Sequence, residues 1–185
     1  MTRITDELAS NIPQLRRYAR GLTGTQRSGD AYVKLCLETY LAEPGRLVAD
    51  EDVRIQLYSL FHDVWSVVAL TLPDIDEGSD PEDDPLVDGL QTLPMLKRQI
   101  LLLTRLEGFS IAQTGRILGI DAEDVRRGRD EASRMLRRRL VDTQVALDAR
   151  REEEAEEEAL PGFALNNGHS SRNGYRAAGG AMRFF

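Results

Sequence analysis

Residues 107–139 read EGFSIAQTGRILGIDAEDVRRGRDEASRMLRRR. Ser110 with Gln113 three residues on is a capping box that opens a helix. Gly119 supplies a permissive turn, and Asp121 caps a longer helix rich in arginine. Phe109, Ala112, Ile117, Leu118, Ile120 and Val125 have the apolar spacing that braces the corner between the two. This is the pattern of a helix-turn-helix. In a DNA reader, side chains at the start of the second helix meet base edges, and Lys and Arg neutralise phosphates. Here that helix opens Asp121, Ala122, Glu123, Asp124. Such acids suit the helix dipole and repel phosphate. The arginines that follow, Arg126, Arg127, Arg129, Arg134 and Arg137 to Arg139, are interrupted by Asp130 and Glu131. Pairing with acids three or four residues away, as Glu123 can with Arg127 and Asp130 with Arg134, is expected to absorb part of their charge. Gly128 costs the helix about 1 kcal/mol relative to alanine. The segment signals a fold strongly and DNA reading weakly.

Working outward, apolar residues recur at helical spacing throughout and period-two alternation is nearly absent. A helix is expected over Pro94–Leu106, with Leu93, Leu96, Ile100, Leu103 and Leu106 inward and Gly108 ending it. Toward the N-terminus, Pro13 suits the first turn of a helix to Leu22, with Ile12, Leu15, Tyr18, Ala19 and Leu22 on one side and room for a short helix before it. A second helix spans Arg27–Ala42, with Val33, Leu37, Tyr40 and Leu41 inward, and Glu43-Pro44-Gly45 stops it. A third runs from Asp50 or Glu51 to Leu72, with Val53, Leu57, Leu60, Phe61, Val64, Trp65 and Val68 on a wide apolar face.

The expected organisation is therefore a helical bundle over 1–73, an acidic linker over 74–88, a helix-turn-helix module over 89–140, a charged helix extension over 141–160 and a disordered tail over 161–185. The linker, DIDEGSDPEDDPLVD, holds eight acids, no base and two prolines, too charged and too poor in apolar residues for a core. A calcium loop is disfavoured there, because Gly78 misses the required position and the closing Glu is absent. The run of six Glu over 152–158 is either a solvated helix end or a contact for a basic partner, the former preferred. The tail is rich in Gly, Asn and Ser and lacks periodicity.

Composition excludes several function classes. With 31 acidic against 24 basic residues the net charge is -7, which argues against a general nucleic-acid binder. The single Cys36 makes no intramolecular disulfide, and no signal stretch or bilayer-length apolar run is present, so a cytoplasmic, soluble protein is expected. His62 sits in an apolar helix and reads as a packing residue, and His169 lies in the tail. No His/Cys cluster has zinc spacing and no Gly-rich loop follows a strand. No catalytic, cofactor or metal residue is assigned, and an enzyme is not expected.

The stretch LPMLKRQILLLTRLEGFSIAQTGRILGIDAEDV resembles region four of extracytoplasmic-function sigma factors. IPQLRRYARGLTGTQRSGDAYVKLCLETYLAEP and IQLYSLFHDVW resemble region two, in the version found in the PhyR family of stress-response regulators. The resemblance covers about residues 10–140. It implies that the chain is a sigma mimic, an anti-anti-sigma factor that captures a small anti-sigma factor of the NepR type and frees the general stress response sigma factor. Related true sigma factors have a reading helix of the form T-V-K-S-R-V-x-R-A-R. Aligned on Val125, its first two arginine positions carry Gly128 and Glu131 here. Around Phe61–Trp65 the arginine and asparagine of a promoter-melting helix are also missing. The family's receiver half has no counterpart after Leu160, so a receiver domain is expected only outside this chain.

The sequence thus predicts an all-α fold of two small helical modules resembling sigma regions two and four. The alternative function is a genuine extracytoplasmic-function sigma factor that binds RNA polymerase and promoter DNA; a stand-alone repressor lacks the basic surface. Partner contact is expected on an apolar groove near Val33, Leu37, Leu57 and Phe61 in the first module. In the second it is expected near Leu103, Leu106, Phe109 and Ile111, with Phe109 and Ile111 foremost.

Overall fold

The computed structural model describes residues 2–48, 51–68 and 84–159. Among them every regular element is helical: α1 (Thr2–Thr23), α2 (Gln26–Ala42), a 3-10 turn (Pro44–Arg46), α3 (Val53–Val68), α4 (Pro85–Gln91), α5 (Met95–Leu101), α6 (Ile111–Leu118) and α7 (Ala122–Ala159). α5 runs directly into a π-helical turn, Leu102–Leu106. Residues up to Asp148 make one compact unit, and those from Ala149 belong to another. The greater part of the expected linker (74–83) and its calcium-loop reading, the end of the expected third helix, and the tail with His169 lie outside the described residues.

The α1–α2 hairpin and α3 supply the first part of the core. Leu15, Tyr18, Ala19 and Leu22 recur on one side of α1 and are fully buried. α1 is a single helix, not a short one followed by another, and Pro13 lies inside it. Proline there removes the bond to the Ala9 carbonyl, but both residues are exposed, so water can satisfy that oxygen. The α2 start is fixed by Thr25, whose side chain accepts the Ser28 amide at 3.2 Å. Leu37 and Tyr40 pack partly buried against the core, whereas Leu41, expected inward, is 72% exposed. α3 begins later than its acidic flank suggests, because the Asp52 carboxylate caps it by accepting the Arg54 and Ile55 amides at 2.9 and 3.2 Å.

α4 was not expected: it starts inside the stretch read as linker to residue 88. The local signal is an N-cap followed by proline. Asp84 accepts the Leu86 amide at 2.9 Å, and Pro85 fills the first turn, where no amide is needed. Gln91 and Arg98 then close the C-terminal end of α1. Gln91 donates to the Gly21 carbonyl at 3.2 Å and Arg98 to the Leu22 carbonyl at 2.7 Å, a buried cation at the negative end of a helix dipole.

The π turn changes which leucines face inward. The Glu107 amide donates to the Leu102 carbonyl, five residues back, at 3.0 Å. Leu96, expected inward, lies before the π turn and is 47% exposed; Ile100, Leu101, Leu102 and Leu103 are all buried in succession, while Leu106, expected inward, is 37% exposed. A uniform 3.6-residue period cannot anticipate that shift in phase.

Candidate functional site

The helix-turn-helix corner forms as its sequence dictates. Ser110 Oγ accepts the Gln113 amide at 3.1 Å, and Gln113 Oε1 accepts the Ser110 amide at 2.8 Å. Gly119 adopts φ 66°, ψ 33°, the left-handed conformation that ends α6. Ile117 and Val125 are buried in the angle between α6 and α7, with Leu118 packed partly buried; Ala112, expected among the braces, is exposed.

The opening turn of α7 is internally neutralised. Arg126 pairs with Glu123 at 3.1 Å, Arg127 with Asp124, and Arg129 with Asp130 at 2.9 Å. The first two pairs have the expected spacing of three, with other partners than Glu123–Arg127 and Asp130–Arg134, and the third joins adjacent residues. The two positions that depart from the sigma pattern both meet α5. A Cβ on Gly128 would stand 2.6 Å from Ile100 Cδ1, so a side chain there would require the end of the Ile100 side chain to move. Glu131 binds Lys97 Nζ at 2.7 Å, one turn further along, and the ammonium holds its carboxyl below the usual range. Gly128 thus lets α7 pack closely on the Ile100 side chain.

Glu107 is the principal residue that sequence reasoning missed. Its side chain is fully buried at the α5–α6 turn. Its Oε1 accepts from Arg17 of α1 at 3.0 Å, and its Oε2 from Arg54 at 2.9 Å and Tyr58 at 2.7 Å, both of α3. Arg54 also reaches the Glu107 carbonyl at 2.7 Å, and its guanidinium lies 4.3 Å from the Phe109 ring centroid. Burial, and then the neighbouring carboxylate, push the Tyr58 phenol well above its ordinary range. One carboxylate thus joins the region-two-like helices to the region-four-like turn. No local pattern announces it, since its partners are 90 and 53 residues away.

Other titratable groups are packed. Tyr18 hydroxyl and His62 Nε2 are 2.7 Å apart in the core, and burial lowers the His62 imidazole to about 4. Burial pushes the Cys36 thiol up to about 12, so it is not a ready nucleophile. Among the described residues, no cluster of His, Cys, Asp and Glu could hold a metal ion, and no helix is long and apolar enough to cross a membrane.

The residues expected to meet a partner divide by exposure. Val33, Leu57, Phe61, Leu103 and Phe109 are buried. Leu37 and Ile111 are half-buried, and Leu106 is exposed. Leu106 lines a groove of about 320 Å³ between α1, α4, the π turn and α7, together with Leu86, Val87, Leu90, Leu102 and Leu136. Arg17, Arg20 and Arg105 also line it.

Comparison with known proteins places this architecture. Residues 8–62 match the family model described as the Sigma2 domain of PhyR, and residues 90–139 match that of the PhyR response regulator's sigma-like domain. The chain belongs to the PhyR family. The phyllosphere-induced regulator PhyR of Methylorubrum extorquens is 40% identical over 131 residues, covering 70% of this chain and 47% of that protein. The chain thus spans about half the length of this PhyR relative. PhyR in its complex with the anti-sigma factor NepR from Bartonella quintana aligns with a TM-score of 0.55 at 34% identity, over 70% of this chain and 48% of that one. The PhyR–NepR complex from Sphingomonas sp. Fr1 aligns at 0.61 and 31%, over 73% of this chain and 87% of that one. The Bartonella quintana sigma factor RpoE, also solved with NepR, shares the fold at a TM-score of 0.65 with 16% identity, over 76% of this chain and 98% of that one.

Proposed function

We propose that this chain is a sigma-factor mimic. It binds an anti-sigma factor of the NepR type in place of the general stress response sigma factor, which is thereby released. The observation that carries the reading is the use made of the α7 positions that depart from the sigma pattern: Gly128 packs on Ile100, and Glu131 pairs with Lys97. The sigma-like body is kept while acids and internal ion pairs occupy the end that would meet DNA. PhyR relatives above 30% identity have been solved with NepR, which supports the same partner class here.

In this reading the region-two-like part (1–73) and the region-four-like part (89–140) present one joint surface, held in register by Glu107. Leu106, Ile111 and Leu37 are the expected contact residues with surface to offer, whereas Val33, Leu57, Phe61, Leu103 and Phe109 shape that surface from beneath. The chain acts by binding, without catalysis, in the cytoplasm where transcription is controlled.

Calorimetric titration with purified NepR, beside a fluorescence titration with promoter DNA, tests the reading. A one-to-one complex with NepR and only weak, salt-sensitive DNA association through Arg134–Arg139 are expected. Tight, sequence-dependent promoter binding without NepR binding would return the chain to the genuine sigma factors.

A further inference from the structure

We infer that α7 pairs with α7 of a second copy of this chain, antiparallel, along the face that carries Arg138, Val145 and Glu152. Arg138 and Glu152 each lie seven residues from Val145. Seven residues are close to two helical turns, so all three share one side of the helix. Arg134 and Val141 fall on the same side, at steps of three or four residues. Along the continuous helix Ala122–Ala159 this face therefore runs from basic through apolar to acidic.

α7 meets the described body on its other side. Leu136 and Leu140 rest on α4, where a Cβ on Gly89 would stand 2.9 and 3.5 Å from them. Val145 is nine residues from Leu136, about two and a half turns, and so stands opposite it. Val141 and Val145 are 57% and 63% exposed. Arg134, Arg138 and Glu152 are exposed too, and among the described residues neither Arg138 nor Glu152 forms an ion pair.

The order of charges selects the occupant. In a lone helix the six Glu of 152–158 stand near the C-terminal end, where the dipole disfavours acids. A second copy reversed about Val145 relieves this. By two-fold symmetry Arg138 of each chain faces Glu152 of the other, and the valines meet between them. A parallel pair would set Arg138 against Arg138 and Glu152 against Glu152, so charge fixes the orientation. The family match ends at residue 139, short of Val141, Val145 and Glu152, and the pairing does not depend on the anti-sigma reading.

Sedimentation velocity of the full chain over a concentration series is the test, with circular dichroism for helix content. The wild type is expected to pass from monomer to dimer, more readily at low salt. Val145→Asp puts two carboxylates on the axis, and Arg138→Glu brings a carboxylate against Glu152 twice. Each should raise the dimer dissociation constant about tenfold or more. Arg138→Glu combined with Glu152→Arg in one chain restores both pairs and should restore the dimer. Arg and Glu are both strong helix formers, so these exchanges keep the test decisive should Val145→Asp fray the helix. A wild type that stays monomeric at every concentration overturns the pairing. So does a dimer that folded Val145→Asp and Arg138→Glu leave intact. A dimer weakened by both but not rescued by the exchange overturns the antiparallel arrangement.

Discussion

Gly128 of α7 and Ile100 of α5 meet where a methyl group on the glycine would lie 2.6 Å from Ile100 Cδ1. Ile100 is 1% exposed, so it has little room to retreat. A DNA-reading arginine at this position would have to displace the end of the Ile100 side chain. Gly128→Arg should lower the unfolding free energy by roughly 2–3 kcal/mol through overpacking and an unpaired buried charge. Urea denaturation reads this directly. Unchanged stability together with new promoter binding would mean that the position faces solvent.

Glu107 should be the most sensitive polar residue of the fold. Glu107→Ala leaves the buried Tyr58 hydroxyl without its acceptor and the partly exposed Arg17 and Arg54 without their carboxylate, a loss of about 1–3 kcal/mol. Glu107→Gln keeps the shape and should cost less. Equal and small losses for both variants would show that the cluster is solvated.

The sequence disclosed the corner and hid this node, for a physical reason. Ser110, Gln113 and Gly119 act on their own neighbours, so their roles are written within a few residues. The helix periods of α1 and α3 likewise point to the cores they build. Glu107, Arg17 and Arg54 become partners only when distant helices close. The π turn failed to show because a single extra residue in one turn rotates the leucines after it, turning Leu106 outward. α4 carried a legible start, Asp84-Pro85, masked by the acidic run in which it sits. Among the expected contact residues, Phe61 and Phe109 are buried because apolarity is a property that core and interface share.

His62 gives the fold a pH dependence of known sign. Its folded value is about 4, below the usual value near 6.5, because burial penalises the charged ring. The unfolded chain therefore takes up the proton first as pH falls. The His62 contribution is fully present above about 6.5, declines by up to about 1.4 kcal/mol per pH unit toward 4, and changes no further below that. Comparing wild type with His62→Gln between pH 7.5 and 4.5 isolates it from carboxylate titration. The variant should show the shallower decline; parallel curves would show that His62 is accessible to protons in the folded state.

Mimicry itself is tested most directly by displacement. A preformed complex of NepR with its stress sigma factor, the latter carrying a fluorescent label, is titrated with this chain while anisotropy is followed. The account predicts that free sigma factor appears as the chain binds NepR in one-to-one proportion. Sigma factor that stays bound to NepR at saturating chain, with the chain folded, contradicts the central claim.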